Sequence, residues 1–250
     1  MRNLSATLAV LSAMWFAGPP AEAAGLRVLA SNGVKAAVEE LKPQLEQAGG
    51  GTLSIEFSTA ANLRERIEKG EAFDVAILTD DAMDALAKAG KLAPARTKLA
   101  RVGIGVGFRH GASKPDVRTA ASIKQSLLNA KAIAYTGNGA SRPAIDRMIE
   151  RLGIVKEMAA KSHLTPAGSA PASVAKGESD LVLTLISEIL PEPGVELAGP
   201  LPADFQTYLG FSAAPSAKAA GNPGALKMIT FLRGSAAAAA YTAKGMEAIQ

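Results

Sequence analysis

Apolar runs of strand length alternate with stretches of helical periodicity along most of the chain. Leu26 to Ala30 reads as a short buried strand, closed by the turn-forming Ser31-Asn32-Gly33. From Val34 to Gln47 the apolar residues Val34, Ala37, Val38, Leu41 and Leu45 recur three or four apart, which predicts an amphipathic helix ended by Gly49 to Gly51. Leu53 to Phe57 is the next strand. Ser58-Thr59-Ala60-Ala61 opens a second helix carrying Leu63 and Ile67 and ending at Gly70. Phe73 to Leu78 and a helix to Ala89, stopped by Gly90, complete a βαβαβα order. That order predicts a mostly parallel sheet covered by helices on both faces.

The second half continues the theme less regularly. Val102 to Phe108 predicts a strand, Ala121 to Asn129 a helix, Ala132 to Tyr135 a strand and Arg142 to Leu152 a strongly amphipathic helix stopped by Gly153. Leu181 to Leu185 is a continuous apolar strand, and residues 191–202 are rich in Pro and Gly. Tyr208 to Ala213 predicts a strand, followed by helices over Pro223 to Leu232 and Ser235 to Lys244. No internal repeat is visible.

The N-terminus follows a different rule. Met1 and Arg2 precede an apolar stretch, Leu4 to Ala17, then Gly18-Pro19-Pro20 and the small-x-small triplet Ala21-Glu22-Ala23. This is the pattern of a secretory signal peptide over residues 1–23, which predicts export to the periplasm. No later run approaches the 18 apolar residues of a membrane span, so the mature chain is expected not to be membrane-embedded. The absence of Cys excludes disulfides, thiolate metal ligands and thiol nucleophiles. A net charge of +4 is dispersed among acids, without the clustered basic face that a nucleic-acid partner would need.

Candidate chemistry lies where predicted strands run into predicted helices. Ser31-Asn32-Gly33, Ser58-Thr59-Ala60-Ala61 and Asn138-Gly139-Ala140-Ser141 are all small and polar. Each offers free backbone N–H groups at the positive end of a helix dipole, so several facing one cleft would bind an anion. Each is also explained as an ordinary helix cap. Arg142, in the first helical turn, opposes the dipole; a bound carboxylate or solvent exposure would each compensate it.

Several stretches together carry a family resemblance. These are Leu26 to Leu41, Phe57-Ser58-Thr59-Ala60-Ala61-Asn62-Leu63, Arg66 to Val75, Arg151-Leu152-Gly153, Val174 to Asp180, and Phe231-Leu232 with the helix to Gly245. In these the chain resembles the periplasmic molybdate-binding proteins, a branch of the type II extracellular solute-binding proteins. The resemblance implies a two-lobed α/β fold with the ligand between the lobes, one built from residues 24–103 and 207–250, the other from 104–206. It also implies a small anionic ligand and an inner-membrane ABC permease as partner. In this register the family's two oxyanion-holding Ser positions fall at Gly33 and Ala60, and its Tyr at Leu185. The nearby hydroxyls are Ser31, Ser58, Thr59 and Ser141, so a carboxylate or an oxyanion other than molybdate is expected. Periplasmic aconitate isomerases, similar to this family and also without the molybdate serines, supply an enzymatic alternative: Arg142 would clamp a carboxylate, and Glu188 or Asp80 would be the base.

Other signals carry less. Gly103-Ile104-Gly105-Val106-Gly107 lacks the spacing of a dinucleotide fingerprint and suits a closely packed crossover strand. His110 and His163, the only two histidines, stand alone in polar loops, and Asp80-Asp81 are cap-like at a helix start. No metal site and no cofactor are expected.

Overall fold

The computed structural model describes residues 25–249, so the signal segment lies outside the described residues. The first unit is β1 (Leu26–Ser31), a 3-10 turn (Asn32–Val34), α1 (Lys35–Gly49), β2 (Leu53–Ser58), α2 (Ala60–Glu68), β3 (Val75–Thr79) and α3 (Asp80–Lys88). A long strand β4 (Thr97–Arg109) leads to α4 (Ala120–Asn129), β5 (Ile133–Thr136), α5 (Arg142–Leu152), α6 (Val155–Lys161), β6 (Ser162–Thr165), α7 (Ala170–Ala175), β7 (Leu181–Leu185), α8 (Ile186–Ile189) and β8 (Val195–Pro200). The chain ends with β9 (Tyr208–Pro215), α9 (Pro223–Leu232), α10 (Ser235–Ala243) and β10 (Glu247–Ala248).

The strands lie in the order β2-β1-β3-β9-β4-β7-β5-β6. The expected parallel sets are β2-β1-β3 and β7-β5-β6. The crossover strands β4 and β9 join them antiparallel. β4 belongs to both halves: Thr97 to Gly103 pair with β9, and Ile104 to Phe108 pair with β7. Gln206 pins that change of partner, accepting from Ile104 N and donating back to the Ile104 carbonyl, both at 2.9 Å. The glycines of β4 exist for close approach. A Cβ on Gly105 would lie 2.9 Å from both Ile186 and Leu197, and one on Gly107 would lie 2.7 Å from Val182.

Strand alternation explains the two-sided burial. On β1 and β3, Val28, Ala30, Val75 and Ile77 face α1 and α9, while Leu29, Ala76 and Leu78 face Leu63, Ile67, Met83 and Leu86 of α2 and α3. In the other half Ile133, Tyr135, Leu181 and Leu183 join α4, α5 and α6, while Ala134 and Val182 join Val174 of α7 and Ile189 of α8. The helix α5 buries Ala144, Ile145, Met148, Ile149 and Leu152, one stripe at helical spacing, and closes on Gly153 at φ 66°.

Several elements depart from the pattern read in the sequence. β4 begins at Thr97 rather than Val102, because Thr97 to Arg101 pair with β9. The Pro- and Gly-rich stretch contains β8, which pairs with β4, and the short α6, β6, α7 and α8 lack the length that makes periodicity legible.

Candidate functional site

The carboxyl ends of β1, β2, β5 and β7 converge, as ligand-binding strand ends do in open α/β sheets. They enclose a cavity of about 20 Å³ lined by Ser31, Asn32, Thr59, Ala60, Thr136, Gly139, Ala140, Ser141, Gly168, Thr184, Leu185 and Glu188. That volume suits a water molecule and is far too small for a polycarboxylate. A second pocket of about 180 Å³, lined by Lys35, Ala36, Glu39, Ser187, Pro191 and Glu192, shares Asn32, Gly168 and Glu188 with the first. Those three residues form the partition between the two spaces. Roomier clefts of about 470 and 620 Å³ lie elsewhere, but no buried titratable side chain lines either.

Ser31, Asn32, Thr59, Ala60, Ser141 and Leu185, all anticipated from the sequence, line the cavity. Their hydroxyls do different things. Thr59 accepts from Asn62 N at 3.2 Å, an ordinary N-cap of α2. Ser31 and Ser141 are buried at the starts of the 3-10 turn and α5 and make no such cap bond, so these two are free for a ligand.

Gly33, Ser58 and Arg142 do not line the cavity. Gly33 faces the core: a Cβ there would lie 2.5 Å from Phe211 Cζ and 2.7 Å from Leu185 Cδ1. Ser58 accepts from Asn62 Nδ2 at 3.3 Å, and Asn62 Oδ1 accepts from Asn138 Nδ2 at 2.6 Å, a hydrogen-bonded bridge from the start of α2 to the loop before α5. Arg142 resolves its conflict with the helix dipole locally. Its Nε donates to Asp146 at 2.6 Å, and its guanidinium lies 4.6 Å from the centre of the Tyr135 ring.

Of the two acids considered as a base, only Glu188 reaches the cavity. Asp80 starts α3, accepts from Ser212 Oγ and packs against Gly210, tying α3 to β9. Glu188 sits in the one-turn helix α8, which Ser187 anchors by donating to the Gly33 carbonyl at 2.7 Å. Burial pushes the Glu188 carboxyl above the ordinary range, and the bonds it accepts from Thr184 Oγ1 and the Leu185 backbone only partly counter that. The cavity lining includes no Lys or Arg. The site therefore combines neutral hydrogen-bond donors, two helix N-termini, and one acid whose pKa is raised.

Thr136, Thr184 and Gly168 were not anticipated. Thr184 had a legible signal, being the one hydroxyl in an otherwise aliphatic strand. Gly168 adopts φ 77°, and a Cβ on it would come within 3.0 Å of Asn32 Nδ2, so its smallness lets the two sides of the cleft touch. His110 pairs with Glu196 and His163 with Ser179, at separate places.

Comparison with known proteins agrees with this fold. Residues 26–247 match the bacterial extracellular solute-binding protein family. The chain is 30% identical over 231 residues to an aconitate isomerase from Pseudomonas sp, covering 90% of this chain and 88% of that one. Its fold is similar to the periplasmic molybdate-binding protein of Azotobacter vinelandii, with a TM-score of 0.73 at 18% identity over 90% of this chain and 100% of that one. It is also similar to the sulfate-binding protein of Mycobacterium tuberculosis, with a TM-score of 0.68 at 14% identity over 90% and 87% of the two chains. A family match across nearly all the described residues makes this chain a member of the bacterial extracellular solute-binding protein family.

Proposed function

We propose that the chain is a periplasmic isomerase of small unsaturated polycarboxylates, acting on an aconitate-type tricarboxylate by an allylic proton shift. The observation that carries this reading is Glu188, a half-buried carboxyl with a raised pKa lining a cavity otherwise built of neutral anion-binding groups. A general acid–base group works best when its pKa lies near the working pH, and burial moves a carboxyl in that direction. The aconitate isomerase at 30% identity over 90% of the chain supports the same chemistry.

In this reaction the Glu188 carboxylate removes a proton from the methylene carbon of the substrate. The C–H bond breaks, and its electron pair joins the neighbouring double bond in a three-carbon allylic anion spread onto the attached carboxylates. The protonated Glu188 then returns the proton to the far carbon, and the double bond is left on the other side. Nothing is gained or lost, so one base suffices. The substrate carboxylates would be met by the N–H groups at the starts of α2 and the 3-10 turn and by the hydroxyls of Ser31, Thr136 and Ser141; α5 offers its dipole but no N–H, since Arg142 N and Ala144 N donate to backbone carbonyls and Pro143 has none.

Residues 24–103 with 207–250, and 104–206, are proposed to act as lobes that part to admit the ligand. The closed cavity supports this reading, as do the Asn62–Asn138 bridge and the Asn32–Gly168 contact across it. A second reading, delivery of a small anion to an ABC-type permease without chemistry, is favoured by the fold shared with molybdate- and sulfate-binding proteins.

Proton NMR of trans- or cis-aconitate incubated with the mature protein separates the two. Interconversion is expected, lost at least a thousandfold in Glu188→Gln (about 4 kcal/mol of barrier), while calorimetry shows substrate still bound within tenfold. Tight binding without turnover would establish the delivery reading. Neither binding nor turnover would remove both for this ligand class.

A further inference from the structure

Thr184 stands where the aliphatic pattern of β7 leads one to expect Val or Leu. All five residues of β7 are buried, and Thr184 is 4% exposed, on the strand face it shares with Val182. A buried hydroxyl is costly unless it is bonded. Its bond goes four residues on, where Thr184 Oγ1 donates to Glu188 Oε2, and both side chains line the cavity. The helix that carries Glu188 is only Ile186–Ile189, too short to hold a side chain rigid by itself, and Ser187 ties it to the Gly33 carbonyl.

We propose that Thr184 is a positioning residue, fixing the plane of the Glu188 carboxyl by holding Oε2 so that the proton is exchanged on the cavity side. The inference rests on Glu188 as the proton carrier proposed above. Thr184 also favours the ionised form, because the hydroxyl donates to it, so removing the hydroxyl moves the Glu188 titration further upward.

The elements packed against α8 are β4, β7, β8, the 3-10 turn and α1. Of these only α1 contributes charged groups to the two spaces that Glu188 lines, namely Lys35 and Glu39, which lie 3.9 Å apart as a pair. Glu192, two residues beyond Leu190, is the other charged group there. None of these three contacts Thr184 in the cavity, so a substitution at 184 acts on Glu188 and leaves them in place.

The test is the carbon NMR titration of the Glu188 carboxyl, observed against a Glu188→Gln control, in wild type, Thr184→Val, Thr184→Ala and Thr184→Ser. The midpoint should rise by about one pH unit or more in the Val and Ala variants, since a hydrogen bond to a charged group is worth at least about a tenfold change in equilibrium. Ser should restore it. Alongside, the acid limb of kcat against pH for aconitate interconversion should move by the same amount, with KM changing less than kcat. An unchanged Glu188 midpoint in the hydroxyl-free variants overturns the positioning role, whatever the turnover. A shifted midpoint in a protein that does not turn over aconitate leaves Thr184 in its role and instead removes the isomerase reading. The Ala variant guards against a Val variant that fails to fold, since it adds no methyl group to a packed site.

Discussion

Gly33→Ser introduces the hydroxyl that the resemblance to molybdate-binding proteins leads one to expect at this position, and the structure gives it no room. The new Cβ would lie 2.5 Å from Phe211 Cζ, 3.1 Å from Phe211 Cε1 and 2.7 Å from Leu185 Cδ1. Phe211 is fully buried and Leu185 nearly so, which leaves neither ring nor branch an open space to retreat into. Overpacking of this kind costs about 1–3 kcal/mol, which for a chain of this length lowers Tm by about 2–12 °C. The added side chain is built against Phe211 and Leu185 at a residue that does not line the cavity, so molybdate affinity should not rise. Leu185→Ala alone should cost about 2–5 kcal/mol by leaving a hole. In the double variant the serine occupies part of that hole, so the combined loss should fall short of the sum by about 0.5–3 kcal/mol. Thermal melts of the four proteins followed by circular dichroism, with molybdate titrated calorimetrically into each, provide the cycle. A Gly33→Ser protein that melts with wild type, or that gains tight molybdate binding, would refute the placement of Gly33 against the core.

Three further outcomes are expected. Arg142→Ala gives up an i,i+4 pair and a ring contact worth together about 1 kcal/mol while relieving the helix dipole, so Tm should move by less than about 3 °C and carboxylate affinity by less than tenfold; a larger loss of affinity would put the guanidinium on the ligand. Glu188 has a raised pKa, so between its unfolded value of 4.5 and the folded value the native state holds more protons than the unfolded chain, and stability falls as pH rises through that window. Glu188→Gln should flatten that part of the Tm–pH curve, and a curve parallel to wild type would contradict the raised pKa. Mass spectrometry of periplasmic protein should find the chain starting at Ala24 or Gly25, a retained Met1 counting against the signal peptide.

How much of this was legible in the sequence depended on length and on which neighbours decide a residue's role. The alternation of Val28, Leu29 and Ala30, and the stripe through Ala144, Ile145, Met148, Ile149 and Leu152, specify burial through local geometry alone, and those elements were placed nearly to the residue. β4 was half visible. Its Gly-rich end reads as a strand by itself, whereas Thr97 to Arg101 become one only through pairing with β9, more than a hundred residues away. β8 was hidden for the same reason: its pairing with β4 is non-local, and its Pro and Gly spell a loop.

The site divides along the same line. Ser31, Thr59 and Ser141 were visible because a helix start is a local event with a residue signature, and a ligand site made of helix starts inherits that visibility. What local reading could not decide was the direction in which each side chain points. Gly33 counted as part of the site by its neighbours in sequence, yet Leu185 and Phe211, 152 and 178 residues further on, occupy the space its side chain would need. Of these two, Leu185 also lines the cavity, so the contact at Gly33 puts hydrocarbon in that lining. Glu188 shares that lining, and an apolar surround raises a carboxyl's pKa. Leu185→Ser, which would put a polar group into that lining, should accordingly lower the Glu188 titration midpoint, and an unchanged midpoint in the carbon NMR titration would place the source of the desolvation elsewhere.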